Sequence, residues 1–183
     1  MIVVVDTETT SWDPKKAEVI EVGAVGVDTS GLEHTFESLC NPGIDLNGCQ
    51  DALRISGITM DEVYSAPPIR KVADQFREWL NGLRSTEEVE LAGFNSKGYD
   101  CLILERKPWK IDRGLWKHDA MLMACDPMGE AGILPYYDRY KKYKWPRLDE
   151  AISYYKIKRR GKPHRALSDA CATLEILKIL MDD

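Results

Sequence analysis

The octet Val3-Val4-Val5-Asp6-Thr7-Glu8-Thr9-Thr10 runs three β-branched apolar residues straight into two carboxylates spaced two apart. A short β-branched run reads as a buried strand. Alternation along a strand then aims Asp6 and Glu8 to one side. Two like charges a few ångströms apart repel, so a protein keeps them with a cation or a shared proton. Hard divalent cations take oxygen ligands, and two carboxylates on a rigid strand make half a site. The octet fits equally well a strand running out into a polar turn with both acids solvated. Further down the chain, Asp100 follows a strand ending near Phe94, where α/β proteins place ligands, although an acid in a first helical turn is also favoured by the helix dipole alone. His164 stands at the mouth of the last helix. Asp169, five residues on, lies beside the buried stripe of that helix, where a charge needs a partner or a metal.

The elements that must position these residues follow from periodicity. Strands are expected near Met1 to Glu8, over Val19 to Val27 and over Leu32 to Leu39, joined by short turns as an antiparallel meander. Asn41 to Gly48 is irregular, and a short helix follows around Gln50 to Ile55. Pro67-Pro68 opens an amphipathic helix marked by Ile69, Val72, Ala73, Phe76, Trp79, Leu80 and Leu83. Next come a strand over Val89 to Phe94, a helix over Gly98 to Arg106 and a short strand over Leu115 to His118. Asp119 reads as the N-cap of a helix over Ala120 to Cys125. Gly129 to Lys144 reads as a loop rich in Tyr and Lys. Pro146 leads into a helix over Leu148 to Tyr155, and a final helix covers Arg165 to Met181. Strands first, then helices alternating with strands, predict an α/β fold with one mixed sheet flanked by helices.

With 183 residues, 44% of them apolar and 30% charged, the chain is expected to form one domain, residues 1–183, with a real core. No apolar run approaches a membrane span, and the N-terminus lacks a secretory pattern. Five cysteines without CxxC spacing speak against a disulfide framework or a zinc site. A reducing, cytoplasmic setting without membrane association is therefore expected. The formal net charge of −5 is unevenly spread. From Lys97 to Arg165 there are 17 Lys and Arg against 9 Asp and Glu, and elsewhere 8 against 21. Such a basic segment suits nucleic acid, or is simply a solvated face.

Asp6-Thr7-Glu8-Thr9-Thr10, Asn95-x-x-x-Tyr99-Asp100 and His164-x-x-x-x-Asp169 together resemble the three motifs of the DnaQ-like 3′–5′ exonucleases, the DEDDh group of the ribonuclease H-like superfamily, in order and in separation. The resemblance covers nearly the whole chain, including Pro146 to Ala151 and the terminal helix. It implies a ribonuclease H-like mixed sheet, with its first three strands antiparallel and the later ones parallel. It also implies two Mg²⁺ or Mn²⁺ ions clamping an in-line displacement at phosphorus. By that analogy Asp6 bridges the ions, Glu8 and Asp169 hold the one that activates water, Asp100 supports the second, and His164 is the general base. Thr9, Ile58, Asn95, Tyr99 and Arg165 are the implied substrate contacts. The implied partner is a nucleic acid 3′ end, DNA favoured over RNA and single-stranded or mismatched ends favoured over paired ones. A DNA polymerase or a repair factor is a further partner the fold allows, although the chain has no long tail to tether one and a stand-alone nuclease is favoured. Two departures touch the substrate: Ser11 stands where the family usually has Gly, and Ser56-Gly57-Ile58 where many members have His-Gly-Ile.

Six cations between Lys156 and Arg165 (Lys156, Lys158, Arg159, Arg160, Lys162 and Arg165) are placed to guide a phosphate backbone. Tyr136, Tyr137, Tyr140 and Tyr143 interleave with lysines, and either stack on unpaired bases or pack as partly buried aromatics. Two rivals compete with the nuclease reading. A strand ending in Asp-x-acid also resembles the nucleophile motif of haloacid-dehalogenase-like phosphatases, which leaves His164 without a task. An inactive binding module would be expected to show gaps among the five site residues.

Overall fold

A computed structural model describes residues 1–182. Its main sheet comprises β1 (Ile2–Thr9), β2 (Val19–Val27), β3 (Glu33–Leu39), β4 (Glu90–Gly93) and β5 (Trp116–Asp119), in the order β3-β2-β1-β4-β5. β1 to β3 pair antiparallel, whereas β4 joins β1, and β5 joins β4, in parallel. The predicted mixed sheet is therefore the observed one. Val3, Val4 and Val5 are fully buried at its centre because both faces of β1 are covered. Val3 and Val5 pack on α3 (Ile69–Arg84) and α4 (Asp100–Leu104), together with Phe76, Leu80 and Trp109. Val4 faces the other way, toward α5 (Ala120–Glu130), α6 (Leu148–Tyr154) and α7 (Ala166–Asp182). A third cluster, around Ile20, Leu46 and Leu53, is closed by α1 (Gln50–Ser56) and α2 (Met60–Ser65).

Four local features differ from the sequence expectation. α2 lies where none was predicted, and it opens on a capping box in which Thr59 and Glu62 satisfy each other's backbone amides. α5 does not stop at Cys125 but continues through Pro127, because Ala124 and Met128 extend its buried stripe. The helix over Gly98 to Arg106 divides into a 3₁₀ turn at Ser96–Gly98 and the short α4. The loop rich in Tyr and Lys contains a small hairpin, β6 (Tyr136–Tyr137) with β7 (Lys142–Tyr143). Among the described residues no helix is long and apolar enough to cross a membrane.

Candidate active site

The site begins with the register of two strands. Asp6 and Glu8 leave β1 on the side of Val4, the face that α7 covers. Opposite them on β2 stand Gly23, paired with Asp6, and Glu21, paired with Glu8. Gly23 lets the start of α7 lie directly on the sheet: a Cβ there would come within 2.6 Å of Leu167 Cα and nearer still to Leu167 N and Ala166 C. Asp169 and His164 thereby arrive beside β1. Ligand atoms of Glu8, His164 and Asp169 all lie within 4.8 Å of one another. His164 follows Pro163 in a left-handed conformation, φ 56°, and its backbone N–H donates to Asp169 Oδ2 at 3.3 Å.

Asp100 reaches the same place from the other face. It is the first residue of α4, 4% exposed, and its Oδ1 accepts from Thr7 Oγ1 at 2.6 Å. Tyr99 ties the neighbouring turn to this helix, through Thr9 Oγ1 and by donating to the Ser11 carbonyl. The 95–99 loop is held from beneath by Asp119, whose carboxylate accepts the Asn95 and Lys97 amides at 3.0 Å each. Asp119 was expected to cap α5. It makes no side-chain cap there, because its side chain turns back to these two amides instead.

Burial raises Asp6, Glu8, Asp100 and Asp169, and at Asp6 and Glu8 the neighbouring carboxylates add to it. Glu8 is pushed up to about 8, by burial first and then by the charges of Asp169, Glu21 and Asp100. Asp100 rises to about 7 through burial, against the opposing hydrogen bond from Thr7. Asp6 lies well above the usual carboxylate range for the same reasons, burial before Asp100 and Glu8. Burial raises Asp169 too, opposed by Arg159 and His164. Glu21, fully buried, is matched by Arg165, whose Nε donates at 2.9 and 3.1 Å, and by the Ala166 amide at 2.8 Å. Among the described residues no donor reaches the carboxylates of Asp6 or Glu8. Oxygen ligands crowded together and left without protein donors fit a hard divalent cation.

Beside the acids lies a pocket of about 280 Å³. Of the predicted substrate contacts, Thr9, Asn95 and Tyr99 line it. Ile58 does not: it is 3% exposed and packs into the cluster of Leu46, Leu53 and Val63, and Ala52 and Ile55 from α1 form that wall. Arg165 carries its guanidinium to Glu21. Phe94 and the exposed Trp12, neither of them among the expected substrate contacts, also line the pocket. Trp12 had a visible signal, an aromatic in a polar turn two residues past the motif. Glu21 had none, since an acid in an apolar strand shows its partner only after folding. His34 and His118 lie outside the site, bonded to Asp28 and Glu90.

The basic loop is less free than its composition suggests. Arg159 bonds Asp169 and Asp149, Arg160 bonds Glu33 at 2.7 Å, and Arg165 bonds Glu21. Half of the six cations between Lys156 and Arg165 are thus engaged within the protein.

The model of the RNase T exonuclease family matches residues 3–177. A PolC-type DNA polymerase III from Caldanaerobacter subterraneus is 31% identical over 95% of this chain, which spans 11% of that protein. ERI1 exoribonuclease 2 of Danio rerio is 25% identical over 100% of the chain, which spans 35% of it. The DNA polymerase III subunit epsilon of Aquifex aeolicus is 32% identical over 97% of this chain and 79% of its own length. In fold the chain is similar to cell-death related nuclease 4, with a TM-score of 0.75 at 17% identity over 99% of this chain and 63% of that one. E. coli Exonuclease I in complex with a dT13 oligonucleotide gives a TM-score of 0.71 at 20% identity, over 98% of this chain and 40% of that one. With the family model covering nearly its full length, this chain belongs to the RNase T exonuclease family, the DnaQ-like hydrolytic nucleases of ribonuclease H-like fold.

Proposed function

We propose that residues 1–183 form a single DEDDh domain that removes nucleoside 5′-monophosphates from the 3′ end of DNA, with single-stranded or mismatched ends preferred. The observation that carries this reading is the meeting of Glu8, His164 and Asp169 on one side of β1, with Asp6 beside them and Asp100 arriving from the other side at the same pocket. Asp6, Glu8 and Asp169 would hold Mg²⁺ or Mn²⁺, with Asp100 supporting a second ion. When bound, such ions lower the pKa of water, polarise the phosphoryl group and stabilise charge on the leaving oxygen. His164 takes the proton from the attacking water at an imidazole nitrogen, the role of a general base within reach of Glu8 and Asp169. The main chain beside it is held by Asp169, which keeps the ring at the edge of the acids. The terminal nucleoside occupies the pocket, with Ala52, Ile55 and Phe94 as its apolar wall and Asn95 as a polar contact. Tyr99 and Thr9, bonded to each other, set the width of that pocket.

The test is direct. The protein is incubated with Mg²⁺ and 5′-labelled single-stranded DNA, duplex DNA with a paired or mismatched 3′ end, and RNA. A ladder shortening from the 3′ end, fastest on single-stranded or mismatched DNA and abolished by EDTA, is expected. Internal cuts, or release of phosphate from a simple monoester without attack on polynucleotide ends, would overturn the reading. Faster loss of RNA would reverse the preference for DNA. Co-purification with a DNA polymerase would make the domain a proofreading partner and not a stand-alone nuclease.

A further inference from the structure

The segment 136–147 carries five cations against one acid, Asp138, on a chain whose net charge is −5. It also carries four tyrosines and a tryptophan. Most of these side chains are in solvent: Tyr136 is 49% exposed, Tyr140 62% and Trp145 51%. Two of the cations, Arg139 and Lys142, lie over ring faces. Lys142 Nζ stands 4.6 Å from the Trp145 ring centre and 5.9 Å from that of Tyr140, and Arg139 Cζ lies 5.6 Å from Tyr140. Arg139, Lys141 and Lys142 have no acidic partner among the described residues, unlike Arg159, Arg160 and Arg165 of the neighbouring basic loop.

The base of this hairpin is fixed. Tyr143 lies flat over Gly129 of α5, where a Cβ would collide with its ring, and meets Tyr136 edge-on at 5.1 Å. Lys144 Nζ grips both oxygens of Glu150 at 2.7 and 2.8 Å. The first turn of α6 also connects hairpin and site, because Asp149, next to Glu150, shares Arg159 with Asp169. A rigid base with exposed rings and unpaired cations at its tip combines the two features that bind single strands: stacking faces that any base can use and charges that follow the backbone. An apolar protein-docking face would lack the excess of positive charge.

We infer that the β6–β7 hairpin is a docking surface for the single-stranded stretch of nucleic acid leading to the reacting 3′ end. Tyr140 and Trp145 stack on its bases, and Arg139, Lys141 and Lys142 pair with its phosphates. The inference rests on the exonuclease reading above and moves the backbone contact from the 156–165 loop to the hairpin.

The test compares the full chain with the triple variant Arg139→Ala, Tyr140→Ala, Lys142→Ala. Binding of a fluorescein-labelled 20-mer of deoxythymidylate is read by anisotropy in EDTA, so that nothing is degraded. The variant should bind about ten-fold or more weakly, with a salt slope shallower by roughly 1.4 for its two lost cations. With Mg²⁺, the ratio of kcat/KM on the 20-mer to that on a trinucleotide should fall by about the same factor. Tyr140→Trp, which keeps a stacking face, should bind like the parent. Equal affinity and equal salt slope for parent and triple variant would overturn the proposal. The exonuclease reading is tested separately, by whether the parent with Mg²⁺ degrades the trinucleotide at all.

Discussion

Replacing Gly23 by alanine tests whether the site depends on how closely α7 approaches the sheet. Gly23 is paired with Asp6, and the new methyl carbon would come within 2.6 Å of Leu167 Cα. Carbon atoms in ordinary contact stand about 3.5–4.0 Å apart. The obstacle is helix backbone, which unlike a side-chain tip has no rotamer to give. The start of α7 must therefore withdraw by about 1 Å, or β2 must bow. Either movement carries His164 and Asp169 away from Asp6 and Glu8. Overpacking of this kind costs about 1–3 kcal/mol, which for a chain this long lowers the melting temperature by about 2–12 °C. A misplacement of about 1 Å at reacting groups costs roughly 100-fold in rate. The assay is kcat on a labelled oligonucleotide, measured well below the melting temperature so that the variant remains folded. Gly82→Ala is the control, since Gly82 lies within α3 with nothing inside 4 Å of its added methyl. That change should stabilise the fold by about 0.5–1 kcal/mol and leave kcat alone. A Gly23→Ala protein with parental kcat would refute the positioning role, whatever happened to its melting temperature.

His164→Ala should lower kcat by about 10²–10⁴ while Mn²⁺ binding, followed by calorimetric titration, changes little; loss of Mn²⁺ binding would instead make His164 a ligand. The raised carboxylates predict a pH dependence of stability. Glu8 near 8 and Asp100 near 7 bind more protons folded than unfolded, so the metal-free protein should lose stability as pH rises from about 5 to 8.5. Added Mg²⁺ should raise the melting temperature more at pH 8.5 than at pH 5.5, because its ligands must be deprotonated; a metal effect that shrinks as pH rises would contradict this. Asp119→Ala leaves the Asn95 and Lys97 amides without their acceptor. It should cost about 1–3 kcal/mol and raise KM through the pocket wall, with Asp119→Asn intermediate; unchanged melting and KM would show that water replaces the carboxylate.

The parts of the fold that were legible in the sequence are those with long periodic signals. β2 was predicted from Val19 to Val27 and has those bounds, because every residue before Val27 is buried and the apolar run marks both ends. α2 escaped because six residues cannot show a helical stripe, although Thr59-x-x-Glu62 was available as a capping box. The acids of the site were readable because carboxylates against apolar runs stand out at Asp6 and Asp169. Ile58 and Ala52 could not be told apart, since both sit in or beside a short helix whose orientation only tertiary packing decides. Asp119 was assigned by its local rule, N-cap of the next helix, and lost to a longer-range demand from two amides 22 and 24 residues away.

The distribution of compensating charge explains where the negative charge of the candidate site is concentrated. Five carboxylates converge from β1, β2, α4 and α7, and each must be offset or left charged at a cost. Glu21 is held by a guanidinium and by the first amide of α7, and so serves structure. Asp169 is offset in part by Arg159 and by the His164 amide, and Asp100 in part by the Thr7 hydroxyl. Asp6 and Glu8 accept no hydrogen bond from the described residues, and Glu8 has only the charge of Arg165 to set against its acidic neighbours, so their proton affinities rise. The uncompensated charge is thereby concentrated on two residues of one rigid strand, open to the pocket. A divalent ion bound there would relieve repulsion that the fold relieves only in part, so metal affinity should depend on the neighbours as well as on the ligands. Removing Arg159 ought then to tighten Mn²⁺ binding, by freeing Asp169 from its protein counter-ion. Weaker binding in Arg159→Ala would mean that the guanidinium orients Asp169 toward the metal and does not compete with it.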